Sequence, residues 1–419
     1  MSVMTDTTLL IAGSTVITTW GRDQIRQLSR QARRRGVKLI GADSPQNLEH
    51  ASLEELGQVD EILPLDVNDP QAALDWAKTS APRGLSAVLT IRELAVYSTA
   101  LIAEQLGLAG NSPEAVLRIR NKDLCRARLR DAGFTQPATA LGRTAEDARL
   151  FMKQHGPGPW IIKPRDGLAS LGVSLIEAES DVQPALTRLS MTPPGAFGSL
   201  SSSAPFLIET FVSGEEYSAE GVMVRGTARV LALTQKETGT GFIETGHRVP
   251  ASLSSAHQQA AEEAVSSALR EAGITRGIFH VEFWVNDDGI VIGELHDRPG
   301  GDYIHMLVEY SRPGLELYGT LVDDLLGHDP QSAPAMTRSA AAAFLICPPG
   351  ELKAVSGWDE LAGHPAVLTS DLSIAEGDNV PPVTDSWGRH GLFVIGGDSP
   401  DEVDALTTRL RAGVTFAVA

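Results

Sequence analysis

Glu282 and Glu294 are the two residues whose type and spacing point most directly to chemistry. They lie in GIFHVEFWVNDDGIVIGELHDRPGG, Gly277 to Gly301, where two apolar runs of period two flank Asp287-Asp288-Gly289. A three-residue hairpin loop with glycine at the left-handed position predicts that Asn286 pairs with Ile290, which sets Glu282 directly opposite Glu294 on one face. Opposed Cβ atoms are about 5 Å apart, so the carboxylates repel unless a cation lies between them. Carboxylate oxygens are the ligands that Mg²⁺ prefers. A solvated strand face could also carry two glutamates. The neighbours expected on this face, His280, Trp284, Ile292 and His296, do not resemble open solvent, and Arg298-Pro299-Gly300-Gly301 adds a fixed positive charge and two permissive glycines.

Two further segments carry weaker signals. In WIIKPRDGLASLGVSLI an apolar strand delivers Lys163 and then a small-residue loop before a strand that begins at Val173. Close-approaching backbone N–H groups with one ammonium are a way to hold phosphate, although a plain hairpin connection has the same composition. FLIETFVSGEEYSAEGVMV places Glu209, Gly214 and Glu216 between two strands. Such a crossover can offer backbone groups to a base and a carboxylate to ribose hydroxyls, and a surface hairpin would read alike.

The elements that must position these residues follow from periodicity. A strand at Thr8 to Ala12, a helix at Arg22 to Arg35, strands at Val37 to Gly41 and Ala87 to Thr90, and a helix at Glu93 to Leu106 read as a small parallel α/β unit. It lacks G-x-G-x-x-G spacing, which speaks for a scaffold over dinucleotide binding. Ser112 and Pro113 start a helix expected to reach about Asp131. From Pro137 to about Leu326 the pattern is mixed, with capped helices at Thr144 to Gln154 and Ser255 to Glu271 and a small, polar loop at Gly195 to Pro205. A last segment holds an Ala-rich strand at Ala340 to Ile346 and a closing strand–helix pair at Leu392 to Arg411. The expected domains are 1–115; 116–328, divided into 116–205 and 206–328; and 329–419.

At 419 residues, with 42% hydrophobic and 21% charged residues, the chain can bury a core without staples. Cys125 and Cys347 stand alone, away from any zinc-ligand spacing. With no export signal or apolar run near 18 residues, a cytoplasmic protein without membrane contact is expected. The formal charge of -18 opposes nucleic-acid binding.

In this order the segments resemble the ATP-grasp superfamily, and within it the carboxylate–amine ligases such as bacterial L-amino acid ligases, closely over about Asn121 to Leu326. The resemblance implies an α/β and α+β fold: an N-terminal α/β domain, a two-part nucleotide-binding domain and a C-terminal domain. It implies ATP with one or two Mg²⁺ ions, or Mn²⁺ in their place, and small-molecule carboxylate and amine substrates joined through an acyl phosphate in a homodimeric enzyme. By position, Lys122 and Lys163 match the lysines on ATP phosphates, and the loop from Asp166 and Gly167 through Ser170 to Gly172 matches the lid over them. Glu209, Thr210, Phe211 and Val212 match the adenine hinge, and Glu216 the ribose carboxylate. Glu282 and Glu294 match the metal pair, and Arg298 the arginine on the transferring phosphoryl group, with Gly300 and Gly301 beside the substrate. Many members carry Asn where this chain has His296, a nitrogen ligand poorly suited to Mg²⁺, so its role stays open between metal and substrate. His247, in FIETGHRVP, falls in a stretch like the substrate-facing loop of the amino acid ligases, or is an exposed loop histidine. A purine-biosynthetic ligase, a bicarbonate-activating carboxylase and a non-catalytic nucleotide-binding scaffold are the alternatives.

Overall fold

The computed structural model describes residues 7–191 and 205–419; the expected loop at Gly195 to Pro205 lies, but for Pro205, outside them. A parallel sheet comes first, ordered Glu61–Pro64, Lys38–Asp43, Thr8–Ala12, Leu85–Leu89. Helices on both faces explain why Leu9, Leu10 and Ile11 are all fully buried rather than alternating. The loop after the first strand turns at Gly13, whose φ of +80° suits glycine and where a Cβ would sit 2.7 Å from the Arg92 side chain. Thr18 then caps helix Thr19–Arg33 by accepting from the Gly21 N–H. This loop and Arg92 lie beyond the carboxyl ends of the strands, the usual place for a ligand crevice.

The helix expected from Ser112 to Asp131 is two helices, Pro113–Arg120 and Lys122–Asp131. Asn121 (φ −91°, ψ 102°) leaves the helical region, and its side chain caps the Leu117 carbonyl. The break frees the Lys122 N–H to donate to the Arg165 carbonyl. A four-stranded antiparallel sheet follows, ordered Thr139–Gly142, Phe206–Thr210, Trp160–Pro164, Ser174–Ile176. Helices Ala145–Gln154 and Val182–Ser190 cover it through Phe151, Trp160, Ile162 and Phe206.

An eight-stranded antiparallel sheet is the largest element, ordered Gly289–His296, Ile278–Asn286, Glu215–Val224, Thr227–Thr238, Glu244–Val249, Ser339–Leu345, Gly391–Gly397, Val367–Leu372. Three strands from the last ninety residues therefore extend the sheet that carries Glu282 and Glu294. The Ala-rich strand allows this, because Ala340 and Ala342 pack into one core and Ala341 and Ala343 into another. Helix Ser255–Ala272, closed by Gly273 in the left-handed region, covers Tyr217, Phe279, Val281 and Phe283 on the sheet's other face. The chain does not finish on helix Pro400–Gly413: strand Thr415–Val418 pairs with Gly350–Ser356.

The hairpin register differs from the expectation. Asn286 pairs with Gly289, not Ile290, so the loop is only Asp287-Asp288. Ile292 pairs with Phe283 and enters the core, leaving the face to which it was assigned. Between Phe283↔Ile292 and Val281↔Leu295 a bulge sets Gly293 and Glu294 against Glu282 alone, and beyond it His280 pairs with His296. The bulge restores the offset lost at the tight turn, so the two glutamates still converge. Gly293 makes room for it: a Cβ there would lie 2.9 Å from the Glu282 carbonyl and 2.9 Å from the Trp284 ring. Gly293→Val should cost about 1–3 kcal/mol, read as a lowered urea midpoint at unchanged m-value; an unaltered midpoint would show that the bulge tolerates a side chain.

Candidate active site

Strand register builds one charged wall. Across the sheet His280 faces Glu220, Glu282 faces Ser218, Trp284 faces Glu216, and Lys236 faces His247. Alternation sends these side chains to one face while Tyr217, Phe279 and Phe283 enter the core on the other. The wall bounds a cavity of about 880 Å³, whose other sides come from residues Thr15 to Arg22, the Gly167–Leu171 loop, Phe211 and Val212, and Ser386 to Arg389.

The repulsion expected between the glutamates is met first by the chain's own lysines. Lys122 Nζ lies 3.0 Å from Glu294 and Lys163 Nζ 3.5 Å from it, while Lys236 Nζ lies 2.6 Å from Glu282. Lys236 also binds Glu216 at 2.8 Å and Glu244 at 2.7 Å. Burial raises the Glu282 carboxyl, but Lys236 and His280 together outweigh it and hold it well below the usual range. Glu294 is lowered in the same way by Lys122 and Lys163. One ammonium cannot serve three carboxylates equally: burial, with Glu282 and Glu244 adding to it, leaves Glu216 raised. Glu209 is buried, 2.6 Å from Lys163 and 3.3 Å from Arg126, which overcome burial and hold it at about 2.

At the next corner Glu93, from the N-terminal unit, accepts from Arg298 Nε at 2.6 Å, His296 Nδ1 at 3.0 Å and Arg120 at 2.6 Å. Burial and Arg298 lower the His296 pKa, favouring the neutral ring. With its Nδ1 proton on Glu93, its Nε2 lone pair faces Glu294, 3.7 Å away. Beyond lies Asp302, bound by both Arg389 terminal nitrogens at 2.9 Å and by His247 Nε2 at 3.2 Å. His247 is almost wholly buried, and its Nδ1 has no hydrogen-bond partner among the described residues. Asp302 and Tyr303 both have positive φ, so the turn after Gly300-Gly301 is strained at the cavity edge.

Of the residues singled out in the sequence, Lys122, Lys163, Gly167, Ser170, Glu209, Phe211, Val212, Glu216, His247, Glu282, Glu294, His296, Arg298, Gly300 and Gly301 line this cavity, while Asp166, Gly172 and Thr210 do not. The Thr210 and Phe211 N–H groups are already donated to the Ala138 and Pro159 carbonyls. Ser170 Oγ donates to the Phe242 carbonyl, and the Ser386 N–H to the Ala169 carbonyl, so the loop rests on two other parts of the chain. Sequence reasoning passed over Lys236, Glu244, Glu93, Asp302 and Arg389. Asp302 directly follows the Arg-Pro-Gly-Gly run and Glu244 lies three residues before His247, so a wider reading of both stretches would have included them.

Comparison with known proteins assigns domain families along the chain. Residues 29–110 match an ATP-grasp N-terminal domain, 157–305 an ATP-grasp domain, and 343–419 an L-amino acid ligase C-terminal domain 2. An alanine–anticapsin ligase of Bacillus subtilis is 29% identical over 236 residues, covering 52% of this chain and 49% of that protein, so the match spans about half of its length. An uncharacterized protein of Sinorhizobium fredii is 24% identical over 91% of this chain and 77% of its own. The crystal structure of an L-amino acid ligase from Bacillus licheniformis superposes with a TM-score of 0.78 at 21% identity, covering 99% of both chains. Three family models in their expected order show that the chain belongs to the ATP-grasp superfamily and ends in an L-amino acid ligase-type domain, and its whole-length fold is that of the solved L-amino acid ligase.

Proposed function

We propose that this ligase activates the carboxylate of one amino acid or amino-acid-like substrate with ATP and joins it to an amine, releasing ADP and phosphate. The observation that carries this reading is the convergence of Lys122, Lys163, Glu282, Glu294 and Arg298 on one cavity that also holds an acidic pocket at Glu244. Phe211 and Val212 flank the adenine, and Glu216 receives the ribose hydroxyls. Lys122 and Lys163 hold the phosphates, and the loop around Ser170 covers them.

Glu282, Glu294 and His296 offer ligand atoms within 4.8 Å of one another, as do Glu216, Glu244 and Glu282. In the first set two carboxylates fit a hard divalent ion and His296 is the weakest member; in the second, three carboxylates on the single ammonium of Lys236 leave an excess of negative charge beside it. Bound Mg²⁺ would neutralise charge on the phosphates. In the first step a substrate carboxylate oxygen attacks the γ-phosphorus and ADP leaves, with Lys163 and Arg298 stabilising the transferring group. In the second, the amine nitrogen attacks the acyl carbon and phosphate leaves, taking up the proton that the amine gives up. His247, with both ring nitrogens buried, acts by orienting Asp302. The covering loop keeps water from the acyl phosphate.

Incubation with ATP, Mg²⁺ and pooled amino acids should give phosphate release that needs both a carboxylate and an amine, together with new amide masses. Turnover that depends on bicarbonate, or nucleotide binding without turnover on any pool, would overturn the reading. Glu294→Ala should lower phosphate release by about a hundredfold or more while circular dichroism and the urea midpoint stay close to those of the parent; full activity would refute its place at the phosphates. EDTA should abolish turnover, and Mg²⁺ or Mn²⁺ should restore it.

A further inference from the structure

Past the charged wall the cavity lining includes a pair of tryptophans, with Arg22, His50, Glu55 and Arg92 elsewhere in that lining. Past Gly301 the wall becomes Trp20, from the first turn of helix Thr19–Arg33, and Trp387, from the C-terminal segment, with ring centroids 6.1 Å apart at 31°. Gly301 leaves this side open: the nearest atom to a Cβ there would be Trp20 Nε1 at 3.6 Å. Ile17, 86% exposed, and Trp387, 45% exposed, both line the cavity, so its mouth leaves large apolar surface in water.

The Trp387 turn is held firmly for an exposed element. Arg389 donates to the Ser386 carbonyl at 2.5 Å, is clamped by Asp302, and lies over the Phe344 ring with 3.5 Å between guanidinium carbon and centroid. Asp385 accepts from the Trp387 N–H at 2.9 Å, and the Ser386 N–H donates to Ala169 in the covering loop. An exposed indole on so constrained a turn is a preorganised surface, and ordering it costs a ligand little.

Resting on the ligase reading above, we infer that one substrate is an amino acid with a large apolar side chain, aromatic or branched aliphatic, which packs against the Trp20–Trp387 pair while its charged groups lie at Arg298 and Glu244. Arg298 and Glu244 provide opposite charges at the end where a zwitterion must bind, and the tryptophan pair provides the apolar contact beyond it. A small side chain would leave both rings wet. An acidic one would bring a carboxylate against an indole wall beside Asp302, whose own oxygens are already taken.

Calorimetric titration of the protein, held with Mg²⁺ and a non-hydrolysable ATP analogue, tests this without turnover. L-Phenylalanine and L-leucine should bind about tenfold or more tightly than glycine and L-aspartate. Trp387→Ala should erase most of that preference and leave the analogue's affinity unchanged, and Trp387→Phe should restore it. Because Trp387 is exposed, this variant is the safer one; Trp20 packs on the N-terminal core. Equal binding of glycine and phenylalanine, a preference that survives Trp387→Ala, or no binding of any amino acid would overturn the inference. Selective phenylalanine binding without ADP formation for any amine partner would instead refute the ligase reading and leave the apolar subsite standing.

Discussion

Three carboxylates around one buried ammonium set the terms for the rest of the molecule. Lys236 cannot neutralise Glu216, Glu244 and Glu282 together, and removing any of them from water costs several kcal/mol unless charge is balanced. The wall is thus stable enough to fold and under-compensated enough to attract a cation. Its rigidity comes from the other sheet face, where Tyr217, Phe279, Val281 and Phe283 pack under a long helix and fix each strand's register. Lys163 brings the neighbouring four-stranded unit to the same wall, Lys122 brings helix Lys122–Asp131, and Glu93 brings the N-terminal unit.

Much of this was legible in the chain because local pattern and site coincided. The apolar alternation around Asp287-Asp288 gave two strands and a turn, and motif order picked out Lys122, Lys163 and Arg298, which line one cavity. The register came from an invalid step with a valid end: a two-residue loop and a bulge at Gly293 together reach the offset that a three-residue loop alone would have given. The misplacement of Ile292 exposes the difference. Bulges depend on cross-strand packing, here the Trp284 ring over a glycine, and strand alternation does not record that.

Lys236 and Glu93 were illegible for a related reason. A lysine in an alternating strand is ordinarily a solvated side chain, and Lys236 becomes a buried hub only once Glu216, Glu244 and Glu282 are brought to it from three other segments. Glu93 begins what looks like a surface helix of the first unit, and nothing near it announces partners two hundred residues away. The opposed glutamates need a cation between them, and the structure first supplies lysines. Those lysines answer part of the charge, and the three carboxylates on Lys236 still leave an excess of negative charge.

Glu93 also bears on modularity. Arg298, on the strand-rich unit, is oriented by a carboxylate on the N-terminal α/β unit, and so is His296. The two units of this chain are therefore joined by a buried charge as well as by packing. A chimaera that grafts another N-terminal unit without a matching acid leaves a buried guanidinium without its counterion, and inherits a misaligned reaction centre even when every residue conventionally assigned to that centre has been kept.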